Sequence, residues 1–203
     1  MRILLSSYTS EIKSVKKSTF LLFVSGLLSL AATFRIAEWG SYVVDEQLTV
    51  QLPVAPQLLT PAVQRIAGPQ PIHYPHLWVA QDAAGTYQVA SRPVPDPEAD
   101  YTTTAARRVY YDEVIDELLE QQGAILLSQT KFSTAGGDGL EVKYTAPRPG
   151  SSRQAVQYLR TLVVAKTGYL LSFASTDAQD STGTSGSEQR QRFFRAIVVK
   201  PAN

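Results

Sequence analysis

The hydrophobic and polar positions after residue 40 read mostly as short strands, with one long helical stretch in the middle. Tyr42-Val43-Val44 and Leu48-Thr49-Val50-Gln51-Leu52 flank the polar Asp45-Glu46-Gln47, which predicts two strands around a turn, closed by Pro53. Leu48, Val50 and Leu52 then share one face. Pro53, Pro56, Pro61, Pro69, Pro71 and Pro75 follow at spacings where a ladder would keep losing N–H donors, so an extended surface loop is expected. Residues 77–80 and 86–90 flank Asp82-Ala83-Ala84-Gly85 and read as a hairpin. Pro93, Pro95 and Pro97 break the chain again.

Residues 104–122 carry the helical period, with Tyr111, Val114, Ile115, Leu118 and Leu119 on adjacent rows ahead of Gly123. Its apolar stripe should lie on a sheet. Strands are predicted at 124–133, 140–145, 154–166 and 169–175. They are joined by a turn at Gly136-Gly137-Asp138-Gly139, a proline-rich loop at 147–150 and a tight turn at Thr167-Gly168. Such short connections make neighbours antiparallel. Leu140, Val142 and Tyr144 alternate with Glu141 and Lys143, so that strand should have one wet face. Residues 177–187, rich in Ser, Thr, Gly and Asp, read as a mobile loop. Ser185 and Glu188 have capping-box spacing for a last helix, in which Phe193 pairs with Ile197 and Phe194 with Val198 at i,i+4 on the same sheet.

Ahead of these elements, Lys13, Lys16 and Lys17 precede the apolar run Phe20-Leu21-Leu22-Phe23-Val24-Ser25-Gly26-Leu27-Leu28-Ser29-Leu30-Ala31-Ala32. The run is shorter than the roughly 20 residues of a spanning helix, and Ser29 and Ala31 suit a signal-peptidase site. Residues 1–31 are therefore expected to be a signal peptide, cut after Ala31 or Ala32, and 32–203 a single domain. The alternative is an uncleaved anchor reaching Phe34, with the lysines held on the cytoplasmic side. Either reading places the domain outside the cytoplasm, in the periplasm or secreted, and membrane contact follows only if the segment is uncleaved.

Composition narrows the function classes. The 203 residues, 44% of them hydrophobic, suffice for a core. A formal charge of +1 offers no field for phosphate backbones, so nucleic acid is not an expected partner. Cleavage after Ala31 would remove Arg2, Lys13, Lys16, Lys17 and Glu11 from 19 Lys+Arg and 18 Asp+Glu, leaving −2. The chain has no cysteine, which excludes disulfides, thiol nucleophiles and thiolate metal sites.

In pattern, Leu48-Thr49-Val50-Gln51-Leu52-Pro53, Leu118-Leu119 through Gly123-Ala124-Ile125-Leu126-Leu127-Ser128, and Arg192-Phe193-Phe194-Arg195-Ala196-Ile197 resemble the PsbP-like superfamily. Tyr158-Leu159-Arg160-Thr161-Leu162-Val163-Val164 and Gly168-Tyr169-Leu170-Leu171-Ser172-Phe173 look like its central hairpin. The resemblance spans roughly residues 39–199. It implies an α+β fold, an antiparallel sheet flanked by helices in an α/β/α sandwich, in a family that mostly binds or supports assembly. It carries over no catalytic residues.

Candidate chemistry is sparse. His73 and His76 are three apart, but Pro75 opposes the helix that would let them share a metal, so loop histidines are expected and no metal site. Asp112, Glu113, Asp116, Glu117 and Glu120 fall away from the apolar stripe and read as a solvated acidic face. Lys166-Thr167-Gly168 matches an element of penicillin-binding enzymes, yet the Ser-x-x-Lys partners at Ser10 and Ser14 lie in the targeting segment, and Ser-Asp-Asn is missing. The residues suited to a binding surface are Tyr74, Trp78 and Tyr87, as aromatic contacts, and Arg107 and Arg108, toward an acidic partner. The first expectation is thus a non-enzymatic exported domain binding a protein or small ligand at the cell envelope, with no cofactor implied. Two alternatives stay open. One is an exported hydrolase whose groups converge only in the fold, signalled by His73 or His76 against a carboxylate in a cleft. The other is a membrane-anchored structural protein.

Overall fold

The computed structural model describes residues 38–59, 74–147, 153–177 and 179–200. The chain divides into two units, Met1–Glu38 and Trp39–Asn203, and the elements described all belong to the second. The predicted signal or anchor segment, His73 and most of the proline-spaced loop lie outside the described residues.

Among the described residues the architecture is α+β, with antiparallel sheets and two helices. Strands β1 (Gly40–Val43), β2 (Leu48–Leu52) and β10 (Val198–Val199) form a small sheet in the order β1-β2-β10. The large sheet has seven strands: β3 (Gln57–Leu59), β4 (His76–Gln81), β5 (Gly85–Pro93), β6 (Ile125–Thr134), β7 (Gly137–Pro147), β8 (Gln154–Val164) and β9 (Thr167–Ser175). Their order is β3-β4-β5-β9-β8-β7-β6. Helices α1 (Thr104–Gln122) and α2 (Ser187–Arg195) complete the set.

Side chains that alternate along the central strands sort into two cores. On one face Tyr110, Tyr111, Val114, Ile115 and Leu118 of α1 pack on Val142, Tyr144, Leu159, Val163 and Leu170. On the other, Phe193 and Phe194 of α2 and Leu48, Val50 and Leu52 of β2 meet Tyr87, Leu162, Tyr169, Leu171 and Phe173. Tyr87 sits among Trp39, Phe173 and Phe193 in edge-to-face contacts of 5.2–5.6 Å. Each aromatic here removes large apolar area from water, and truncating Phe193 to alanine would cost about 3–5 kcal/mol.

Helix α1 begins where Thr103 Oγ1 accepts from Ala106 N at 3.3 Å and ends at Gly123, which is left-handed at φ 57°. The hairpin turns fall elsewhere than glycine placement suggested. Val164 pairs with Thr167, so the turn is Ala165-Lys166, with Ala165 at φ 52°, and Thr167-Gly168 opens β9. Gly168 is small for a different reason: a Cβ there would lie 1.9 Å from the Tyr110 hydroxyl. Likewise Thr134 pairs with Gly137, so the preceding turn is Ala135-Gly136, and Gly137-Asp138-Gly139 belong to β7.

Three further expectations are corrected. Within the proline-spaced loop, Gln57–Leu59 forms edge strand β3, because Pro53 and Pro56 precede it and leave its donors intact. The face of β7 that carries Glu141 and Lys143 is partly exposed, as the alternation with buried Val142 and Tyr144 predicts, but not fully wet: Glu141 receives Arg160 at 2.7 Å, and Lys143 Nζ donates to Thr182 O at 3.2 Å. Helix α2 starts at Ser187 with Gly186 as its N-cap and no side-chain cap, while Ser185 Oγ donates to Asp177 Oδ2 instead. It ends at Arg195, so Ile197 and Val198 lie beyond the helix, Ile197 packing against the core that holds Phe193 and Phe194 and Val198 standing exposed in β10.

The loop before α2 is built around one carboxylate. Asp180 accepts from the amides of Thr182, Gly183, Thr184 and Ser185 and from Thr182 Oγ1, at 2.7–3.2 Å. Burial works against its charge, but these hydrogen bonds outweigh it and hold its pKa below the ordinary aspartate value. Arg190 closes the loop, its guanidinium 3.6 Å over the Tyr158 ring and Nη1 donating to Gly183 O.

Candidate functional site

The two ends of the large sheet differ. β3 is three residues long, while β6 is ten, and residues 125–131 of β6 are all exposed. Pairing places Leu126, Gln129 and Lys131 on the α1 side, opposite Tyr144, Val142 and Leu140. Helix α1 packs over β7 and β8, leaving that side of β6 uncovered. The result is a groove of about 310 Å3 between α1 and β6.

Thr104, Arg107, Arg108, Tyr111 and Asp112 line it from α1, and Gln129, Lys131, Asp138, Gly139 and Leu140 from the strands. Three cations therefore face two carboxylates. Arg107 is committed to structure: Nη2 donates to Gly136 O at 2.8 Å and Nε to Tyr101 O. Gly137 makes room for it, since at φ 114° a Cβ would lie 1.5 Å from Arg107 Nη1. Arg108 reaches Asp112 at 3.6 Å from a side chain 81% exposed, a pair worth a few tenths of a kcal/mol. Asp138 accepts from Ser133 Oγ at 2.8 Å. The Lys131 side chain makes no ion pair or hydrogen bond among the described residues.

Tyr111 ties the helix to the groove floor. Its hydroxyl donates to Asp138 O at 2.7 Å and accepts from Val163 N at 3.1 Å. Burial pushes the phenol up to about 12, with the Val163 amide and the Arg107 charge pulling the other way. It serves as a fixed hydrogen-bonding strut and stays protonated at neutral pH.

The five residues singled out in the sequence do not converge. Arg107 and Arg108 line the groove. Tyr74 lies on the same face near β5, where the Arg92 guanidinium is 5.9 Å from its ring centre and pairs with Glu117 at 3.1 Å. Burial raises the Tyr74 phenol well above its ordinary value, partly opposed by Arg92. Trp78 is half-buried on the opposite face, beside Tyr42, Leu52 and Leu58 in a smaller apolar recess of about 250 Å3. Tyr87 is fully buried, its hydroxyl 3.3 Å from Asp82, and so presents no surface. On α1 the acidic residues point to solvent except Glu117, which Arg92 takes. His76 is exposed on β4, its ring 5.6 Å from that of Trp78, and makes no hydrogen bond to a carboxylate among the described residues. Among the described residues no three His, Asp or Glu side chains gather as a metal site.

Gln129 and Lys131 went unread in the sequence because exposure at a sheet end is set by strand order, which periodicity does not carry. The usable signal was the loss of alternation through Leu126-Leu127-Ser128-Gln129 followed by a lone lysine, a pattern suited to an edge.

No family model matches the sequence, and no curated protein matches it. Among solved structures, the fold is similar to the solution structure of PsbP from the cyanobacterium Synechocystis sp. PCC 6803. That match has 14% identity over 83% of this chain and 96% of that one, with a TM-score of 0.49. It is also similar to a Pseudomonas aeruginosa protein of unknown function described as a putative regulator, at 11% identity over 81% and 99%, with a TM-score of 0.46. At these values the likeness is one of α+β arrangement, and no role passes from either protein to this chain.

Proposed function

We propose that the chain is a non-enzymatic binding domain acting outside the cytoplasm, at the cell envelope, with the groove between α1 and β6 as its binding face. The observation that carries the reading is the groove itself, an open recess lined mainly by polar and charged residues, in which Lys131 forms no ion pair among the described residues and Arg108 holds only a weak one. Such a lining suits a reversible polar contact. The hydrolase reading is less favoured, because among the described residues His76 makes no hydrogen bond or ion pair with a carboxylate and the groove's hydroxyls, Thr104 and Tyr111, have no imidazole lining the groove with them. The envelope address rests on the lysine-flanked apolar run of residues 13–32.

A photo-crosslinking residue in place of Gln129, expressed in the native host, tests the binding face. A discrete adduct at Gln129, and none from Glu98 on the loop before α1, is expected. Equal labelling from both positions, or none from Gln129, would remove the groove from consideration.

A further inference from the structure

Strand β6 is polarised as well as exposed. Its first residues, Ile125, Leu126 and Leu127, are apolar and 38–61% exposed, whereas its later α1-side position is Lys131. The strand ends the seven-stranded order, so its outer backbone N–H and C=O groups have no strand partner among the described residues. Such an edge is a template for another strand, and natural sheets blunt it with charges or bulges. Here the bulge at Leu127 and the single lysine leave ten residues of it open.

A second copy of the chain is a poor match. Antiparallel pairing of β6 with itself across a two-fold axis turns one end against the other, setting the leucines beside the lysine. The complementary strand has the reverse polarity. Running antiparallel, it would meet Lys131 and Arg108 first with an acid, then Leu126 with an apolar side chain about four residues later, the bulge absorbing one position.

Resting on the binding role proposed for this groove, we infer that its occupant is an extended segment of a partner protein. This segment adds to β6 as an eighth, antiparallel strand and carries an acidic residue N-terminal to an apolar one on the side facing α1. Main-chain hydrogen bonds supply affinity, and the acid selects through Lys131 and Arg108.

The test uses the protein as isolated from producing cells and the synthetic peptide Thr-Thr-Glu-Val-Thr-Val-Leu-Thr-Thr, with a second peptide carrying Lys for Glu. Amide hydrogen exchange and titration are read together. Expected are protection of β6 amides by the Glu peptide, weaker binding of the Lys peptide by about fivefold, and reversal of that preference in Lys131→Glu. The reversal is itself a control for folding, since a misfolded variant would bind neither. Absence of β6 protection overturns the inference, as does protection indifferent to charge. So does a peptide-free protein that sediments as a dimer with β6 already protected. A Gln129 adduct in cells together with any of these results would leave the binding role standing and remove only the strand-addition partner.

Discussion

Tyr111 shows how much one side chain can settle. Its hydroxyl satisfies a buried amide on β8 and a carbonyl on β7 from a helix that must lie at one height above the sheet. Tyr111→Phe keeps the ring and strands the Val163 amide, a loss of about 1–3 kcal/mol. Urea unfolding should show it as a lower midpoint with unchanged slope; an unchanged midpoint would mean that water replaces the hydroxyl. Asp180 is the other decisive residue. Its pKa is depressed, so its contribution is whole above the ordinary aspartate value and lost as pH falls through the lowered one. Asp180→Asn should melt earlier than the parent at neutral pH, by the equivalent of about 1–3 kcal/mol. The gap should narrow on acidification below the usual carboxylate range, and two parallel melting curves across that range would contradict this account.

At the scale of elements, the helix α1 and the hairpin of β4 and β5 were legible because their cues are local: Gly123 past a periodic stripe, and Asp82 to Gly85 between two alternating runs. The glycines at 137 and 168 misled for a physical reason. Each is small because a distant side chain, Arg107 or Tyr110, needs its space, and a turn is only the commoner cause of a glycine. The loop before α2 reads as mobile from composition, yet Asp180 supplies acceptors for its donors, and one carboxylate among many polar residues has no signature in sequence. Of the groove, Arg107 and Arg108 were readable as surface cations on a helix. Gln129 and Lys131 became part of it through strand order alone.

For the whole molecule, the prediction concerns the leading segment. If it is a cleaved export signal, the protein recovered from the envelope or medium should begin at Ala32 or Thr33 by N-terminal sequencing; recovery with the lysine cluster attached, in a soluble cytoplasmic fraction, would dismiss the address. The small sheet bears on the same journey. Val198 and Val199 pair with Thr49 and Leu48, and Lys200 N donates to Gln47 O at 2.9 Å. Strand β10 is thus zipped to a strand about 150 positions away in sequence, a closure whose entropic cost is repaid only when both strands are present. A polypeptide threaded lengthwise through a pore would therefore hold this clasp undone until Val198 and Val199 had followed Leu48 and Thr49 to the far side.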